Sequence, residues 1–363
     1  MMTRVRPVKG VRSATSDVQG PGTEVRSAKS GVRGTEEAHP APRTPHGFTY
    51  HRAVERLERA GVESASLDAA CLLEAASGIP RWRFILEPER PIARGISGLF
   101  ASMLSRREAR EPIAYILGAK EFWSLSLAVS RDVLIPRPET ETLVEAVLEK
   151  IGSQFTVHSS QFRGTECEVQ GLVTSHVEHR ASHLGLTILD LGTGCGAIAL
   201  ALAMEIPDGR ICGLDRSRSA LRIAGRNARA LGFAGRVQFL GGDLFAPLRT
   251  RRTGGGFDLI VSNPPYIPSG ALTLLAPEIA AYEPREALDG GPDGLHYHRR
   301  IIGEAPGYLR AGGWLALEVG DGQSAAVVEL IRKSDAFGPA EVKKDLTGGD
   351  RVVLAWRRAV ADG

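Results

Sequence analysis

Ile188-Leu-Asp-Leu-Gly192-Thr-Gly194-Cys-Gly196 begins as a short apolar strand, turns on three alternate glycines and opens a helix at Ala197. Glycines at such a turn let the backbone approach a ligand closely, and the free amides of the helix start can donate hydrogen bonds to it. The spacing is G-x-G-x-G. The dinucleotide fingerprint is G-x-G-x-x-G, so a nicotinamide cofactor fits less well than the adenosyl group and amino-acid tail of S-adenosylmethionine. Around this turn, short apolar strands alternate with helical stretches: Leu186–Leu191, Ile198–Met204, Arg210–Leu214, Ser219–Leu231, Val237–Leu240, Leu259–Ser262 and Trp314–Val319. The alternation predicts an α/β fold with a doubly wound sheet and a ligand site at the carboxyl ends of its strands.

Two aspartates stand at those ends. Asp215 closes Cys212-Gly-Leu-Asp215, at the offset of about twenty residues where a carboxylate can accept both hydroxyls of a ribose. A helix N-cap before Ser217–Ala220 is the competing reading. Asp243, in Gly241-Gly-Asp-Leu-Phe245, ends the following strand where a side chain can face an adenine, and an acidic turn residue would look the same.

The sharpest element is Ser262-Asn263-Pro264-Pro265-Tyr266, directly after the apolar strand Phe257–Val261. The lone pair of a planar amide or aromatic amine is delocalised, so methylating it requires both N–H bonds to be oriented. The Asn263 side-chain oxygen and the Pro264 carbonyl can accept those two hydrogen bonds, the prolines stiffen the loop, and Tyr266 offers a flat face for stacking. No separate general base is evident. Glu283, in Tyr282-Glu-Pro-Arg-Glu-Ala-Leu-Asp-Gly-Gly291, reads equally as a pocket carboxylate or a surface one.

The rest of the 363-residue chain bounds these readings. It is 43% hydrophobic and 24% charged with a formal net charge of +3, an ordinary globular composition and too small a basic excess for a strongly electrostatic nucleic-acid binder. Four cysteines (Cys71, Cys167, Cys195, Cys212) without framework spacing suit a reducing cytoplasm, and no apolar run is long enough to span a bilayer. Residues 1–47 are poor in large apolar side chains and are predicted to be a disordered tail; their acidic residues argue against a transit peptide. Residues 48–118 carry helical periodicity and punctuating prolines, and read as a recognition domain of about four helices. Glu121–Val129 alternates like a strand, and Thr140 and Glu141 suit the first turn of a helix near Leu143–Ile151, giving a linker over 119–151. Residues 152–186 form a polar insert with His158, His176, His179 and His183. Such histidines are usually solvated, so no metal site is expected. The catalytic domain is then 187–359.

Asn263-Pro-Pro-Tyr266 together with Asp190-Leu-Gly-Thr-Gly-Cys-Gly196 resembles the class I amino-methyltransferases. Further segments narrow the resemblance to the protein-(glutamine-N5) methyltransferases that modify peptide chain release factors. They are Arg110-Glu-Pro-Ile-Ala-Tyr-Ile-Leu-Gly118, Glu121-Phe-Trp123, Leu134-Ile-Pro-Arg-Pro-Glu-Thr-Glu141 and Glu283-Pro-Arg-Glu-Ala-Leu-Asp-Gly-Gly291. The resemblance runs from about His51 to Trp356, outside the tail and the insert. It implies a helical N-terminal domain that recognises the release factor, a hairpin linker and a Rossmann-like, seven-stranded catalytic domain using S-adenosylmethionine. The substrate would be the glutamine of the Gly-Gly-Gln loop of class 1 release factors, with neither a stable nucleic-acid partner nor a membrane. Carried over by position, Gly192, Thr193, Gly194, Cys195, Gly196 and Asp215 hold the cofactor, Asp243 and Leu244 lie beside its adenine, and Asn263, Pro264, Pro265 and Tyr266 grip the glutamine amide. Some relatives carry an aromatic residue at the position of Leu244, which implies weaker stacking on adenine here. A DNA adenine-N6 methyltransferase uses the same planar-amine logic but ordinarily needs a broad basic surface. An rRNA guanine methyltransferase and a catalytically silent binding protein are the remaining alternatives.

Overall fold

Alternating strands and helices can close into one sheet in several orders, and the order found here decides which loops meet. The structure, a computed structural model, describes residues 49–159, 185–248 and 256–359. The histidine-bearing stretch 176–183 lies outside the described residues. Five helices come first: α1 (Tyr50–Arg59), α2 (Ala65–Ser77), α3 (Arg81–Leu86), α4 (Arg94–Glu108) and α5 (Ile113–Leu117). The Thr49 hydroxyl caps α1 by accepting from Arg52 N at 3.3 Å, and Ala53 and Leu57, one turn apart, pack with Leu72, Leu73, Phe100 and Leu104. One helix more than the periodicity predicts is present because α5 is a five-residue piece behind Pro112, too short to show a period.

β1 (Ala119–Phe122) and β2 (Leu125–Ala128) form an antiparallel hairpin where the alternation predicts a single strand. Its turn, Trp123-Ser124, has φ of 51° and 59°, a pair of left-handed residues that hairpins usually build from Asn-Gly. Trp123 N donates to Glu141 Oε1 at 2.8 Å and its indole Nε1 to Glu205 Oε1 at 2.8 Å, so distant carboxylates hold a turn that its own residues do not signal.

α6 (Glu141–Ser159) leads to β3 (Thr187–Leu191), α7 (Ala197–Glu205), β4 (Arg210–Asp215), α8 (Arg218–Ala230), β5 (Val237–Gly241) and β6 (Phe257–Ser262). After them come α9 (Pro277–Tyr282), α10 (His296–Glu304), β7 (Leu309–Glu318), α11 (Ser324–Lys333), β8 (Glu341–Lys344) and β9 (Asp350–Trp356). Strands β3 to β9 form one sheet in the order β5-β4-β3-β6-β7-β9-β8, parallel except for β9, which runs against both its neighbours. β8 and β9 are absent from the strands read individually above. β8, Glu341-Val-Lys-Lys344, is a mostly exposed charged edge strand with no apolar alternation to reveal it. Ile188 joins the core under α6, α7 and α8, whereas Leu189 and Leu191 join the core under α10 and α11, so β3 is covered on both faces.

The helical region is fastened to α9. Glu278 of α9 receives Arg110 Nε and Nη2 at 2.7 and 2.8 Å and Arg107 Nη1 at 3.1 Å, while Arg107 also donates to the buried Asp68 at 2.7 Å. The Tyr282 hydroxyl closes the same joint on Ala109 O at 2.5 Å. Burial raises the Glu278 pKa, but the hydrogen bonds from Arg110 and Arg107 outweigh it and hold the carboxyl at about 2. The stabilisation it gives is therefore complete above its ordinary value of 4.5 and is lost as the pH falls toward about 2. Glu278→Gln should lower unfolding free energy by about 1–3 kcal/mol at pH 7, because two arginines lose a charged partner. The deficit relative to the parent should shrink as denaturant titrations are repeated from pH 5 down to roughly pH 2.

Candidate active site

β3 is the point where the strand order reverses: its two neighbours, β4 and β6, are reached by connections that diverge, and a crevice opens above its carboxyl end. The glycine loop forms one wall. Gly192, Gly194 and Gly196 have φ of +72°, +57° and +88°, which favours glycine at all three. A Cβ on Gly192 or Gly194 would meet no protein atom nearer than 4.0 Å, whereas one on Gly196 would lie 3.1 Å from Leu200 Cδ1 and 3.3 Å from Ala224 Cβ. The first two glycines thus leave open space and the third lets the helices pack. Thr193 and Cys195 turn their side chains inward: the Thr193 hydroxyl donates to Asp190 Oδ2 at 2.6 Å, and burial pushes the Cys195 thiol up to about 12. What either offers a ligand is backbone.

The cleft beside this loop has a volume of about 800 Å³, and its lining includes Gly192, Gly194, Asp215, Asp243, Leu244 and Asn263. Asp215 accepts from Gly194 N at 2.9 Å and Ser217 N at 2.8 Å, which ties the end of β4 to the glycine loop. Burial raises its pKa and these two amides oppose the shift. The cap of α8 is Ser217, accepting from Ala220 N at 3.2 Å, so Asp215 is not the N-cap. Asp243 takes Arg300 Nη2 at 2.6 Å and Nη1 at 3.2 Å, and that guanidinium holds its carboxyl below the ordinary range. Leu244, next to it, sits at φ +45°, a strained turn for a leucine that brings it to the cleft wall.

The opposite wall is the loop leaving β6. The Ser262 hydroxyl donates to Leu191 O at 2.7 Å and locks this strand end against β3. Asn263 Nδ2 donates to Thr140 Oγ1 at 3.0 Å, and Asn263 lines the cleft with its Oδ1 unpaired among the described residues. Asn263, Pro264 and Pro265 also wall a second cavity, of about 510 Å³, that includes Tyr266 and Arg137. The two cavities thus share one partition. Burial pushes the Tyr266 phenol up, and its hydroxyl lies 3.4 Å from Glu318 Oε1.

Sequence reasoning missed several supporting residues. Glu318 and His298 are buried, and His298 Nε2 sits 2.9 Å from the Glu318 backbone carbonyl. The one visible sign was a carboxylate inside an otherwise apolar strand, Trp314–Val319. Asn227, also buried, bonds both Ala128 backbone groups and donates to Cys195 O at 2.9 Å, tying the hairpin to the glycine loop. Glu283 is neither a free pocket carboxylate nor a surface one: its side chain is buried and accepts from Arg137 at 2.5 Å and from Ile135 N at 3.2 Å. Gly290, which follows it in the same segment, packs against the Asn-Pro-Pro-Tyr loop, since a Cβ there would lie 2.7 Å from Tyr266 Cα.

Residues 49–118 match the family model described as PrmC N-terminal domain, and residues 182–347 match a methyltransferase domain model. The release factor glutamine methyltransferase of Moorella thermoacetica is 42% identical over 306 residues, which cover 84% of this chain and 96% of that protein. That of Caulobacter vibrioides is 38% identical over 304 residues, 83% of this chain and 93% of its own. This chain belongs to the release factor glutamine methyltransferase family. Its fold is that of a class I methyltransferase, and its cofactor is S-adenosylmethionine rather than a nicotinamide. The residues present fit that group: Gly192 and Gly194 leave a cradle that a side chain would fill, and Asp215 sets an acidic acceptor beside it. Among the described residues, no cluster of three or more His, Cys, Asp or Glu side chains is arranged to hold a metal, and no helix is long and apolar enough to cross a membrane. For this family member, Asp215→Ala should weaken S-adenosylmethionine binding roughly 10–100-fold by calorimetry, the cost of losing a charged hydrogen-bond acceptor.

Proposed function

We propose that this enzyme methylates the side-chain amide nitrogen, N5, of the glutamine in the Gly-Gly-Gln motif of class 1 peptide chain release factors, in the cytoplasm and in support of translation termination. The observation that carries this reading is the state of Asn263, which lines both cavities: its amino group is pinned to Thr140, and its oxygen has no partner among the described residues. In that orientation Asn263 Oδ1 and the Pro264 carbonyl accept the two N–H bonds of a primary amide. Holding both N–H bonds fixes the plane of the amide and directs its nitrogen lone pair. Tyr266, in the second cavity, flanks the same planar group. The cofactor supplies an electrophilic methyl group on a sulfonium, whose departure leaves a neutral thioether. The nitrogen that has gained the methyl carries a positive charge and is strongly acidic, so it releases one proton to water and no dedicated base of the chain is required.

On this reading Gly192 to Gly196 and Asp215 hold the cofactor, and Asp243 and Leu244 border its adenine. The organisation we assign gives release factor recognition to 48–118, a hairpin and linker helix to 119–151, and catalysis to 187–359. The glutamine substrate is supported by the names of the relatives and by the two-acceptor geometry.

The test is transfer of labelled methyl from S-adenosylmethionine to a purified release factor, beside a Gln→Ala version of its Gly-Gly-Gln loop and unmethylated DNA. Label on the intact factor alone is expected. Label on DNA alone would replace this reading by the adenine one. Asn263→Ala should lower kcat roughly 100-fold or more with little change in cofactor affinity, because its acceptor matters chiefly in the transition state.

A further inference from the structure

Glycine offers a partner nothing but backbone, so a loop reading Gly-Gly-Gln can be held only by its main-chain groups and by the one amide at its end. On the reading above, Asn263 and Pro264 supply two acceptors for that amide. A main-chain carbonyl needs a donor, which neither acceptor can provide. It must come from elsewhere in the same cavity.

Arg137 is placed to be that donor. Among the described residues that line the cavity of about 510 Å³ it is the only charged one, set against apolar side chains such as Leu134, Ile279 and Leu288. Its backbone is stiffened between Pro136 and Pro138, and its carbonyl accepts from Thr140 N at 3.1 Å, in the turn whose Thr140 hydroxyl takes Asn263 Nδ2 at 3.0 Å. Its side chain is anchored on Glu283. Arg137 Nη2 donates to Oε1 at 2.5 Å and Ile135 N to Oε2 at 3.2 Å, so both oxygens of the anchor are engaged. A guanidinium has five N–H bonds. Among the described residues Glu283 takes one of them, and neither Nε nor Nη1 has a hydrogen bond. The Glu283 side chain is 1% exposed and that of Arg137 29%, so the anchor is sealed while the arginine keeps an open part. Glu283 directly follows α9, the helix that receives Arg107 and Arg110 on Glu278 and lines the cavity with Ile279. The joint that fastens the helical region therefore also places this guanidinium.

We propose that Arg137 is a substrate-binding residue whose remaining N–H bonds go to main-chain carbonyl oxygens of the Gly-Gly-Gln loop, and that Glu283 is the positioning residue that aims it. This rests on the glutamine-amide reading above and adds how the loop is held while its amide is presented. The oxygen of the reacting amide is the poorer target. A cation bonded there would draw electron density from the nitrogen that must attack the methyl group.

The test uses the full chain, S-adenosylmethionine and a purified release factor, with a Gln→Ala version of the factor's loop as an inert ligand. Arg137→Lys keeps a charge for Glu283 but loses the planar fork. The double variant Arg137→Met/Glu283→Gln removes both charges together, so none is left buried and unpaired, and it keeps an acceptor for Ile135 N. Each should raise KM for the factor roughly 10-fold, the scale of one charged hydrogen bond, while kcat and the calorimetric affinity for S-adenosylmethionine stay within about 2-fold. Thermal unfolding should leave both close to the parent, since neither strands a charge. Both should also weaken calorimetric binding of the Gln→Ala factor as much as that of the intact one, because its main-chain carbonyls are unchanged. A KM like the parent's in the double variant would reduce Arg137 to the neutraliser of Glu283 and overturn the proposal. A loss confined to kcat, with binding of the Gln→Ala factor unchanged, would move Arg137 to the reacting amide and overturn it too. If the parent labels no release factor, the glutamine reading fails; if the parent labels it and both variants match the parent, the Arg137 assignment alone fails.

Discussion

The hydrogen bond from Ser262 to the carbonyl of Leu191 is the narrowest point on which the site depends. It joins the last residues of two adjacent parallel strands at the place where the sheet order reverses. Pairing of Leu191 with Ser262 brings the two strands to an end at the same level. The glycine loop and the Asn-Pro-Pro-Tyr loop therefore leave the sheet side by side, and Asn263 O comes within 4.0 Å of a Cβ built on Gly192. A slip of one residue in that pairing would turn Ser262 to the other face and separate the loops. The apolar side chains of β3, buried on both faces, resist such a slip.

Much of this was legible because it is local. The glycine spacing, the strand-end aspartates and the Asn-Pro-Pro-Tyr stretch each declare themselves within a few residues, and α/β alternation places them at one sheet edge. What was not legible depends on partners far apart in the chain. Thr140 suits a helix start in the sequence, and nothing near it points to an asparagine 123 residues away. The Trp123-Ser124 turn carries no glycine or asparagine, because Glu141 and Glu205 supply the bonds that hold it. Glu283 was ambiguous for the same reason, since its partners Ile135 and Arg137 lie in a segment read separately.

The glycines show why one residue type must be read in two ways. Gly192 and Gly194 border space that protein atoms do not fill, the mark of a surface shaped for a ligand. Gly213, in the middle of β4, is the opposite case: a Cβ there would lie 2.7 Å from the Phe239 ring and 2.9 Å from the Thr193 hydroxyl, the group that bonds Asp190. Gly290 likewise makes room for the backbone of Tyr266. The sequence alone does not tell these glycines apart, and only the distance to the nearest atom separates a cradle from a packing contact.

Asp190 and Glu318 extend the argument to energetics. Each lies near the carboxyl end of a central strand, each is raised to about 7 by burial, and each keeps one carboxylate oxygen without a partner. A buried, incompletely bonded carboxylate costs stability, and an apolar side chain of similar size would serve the sheet better. Two such groups in one sheet are poor candidates for holding the fold together. Their hydroxyl partners explain their retention better: Thr193 belongs to the glycine loop, and Tyr266 to the Asn-Pro-Pro-Tyr loop. The Thr193 hydroxyl, donating to Asp190 Oδ2, and the Tyr266 hydroxyl, 3.4 Å from Glu318 Oε1, thus tie both loops to the sheet behind them. The position of the two loops is then set by the core behind the cleft as well as by the cleft wall, and this is the part of the site that a motif cannot display.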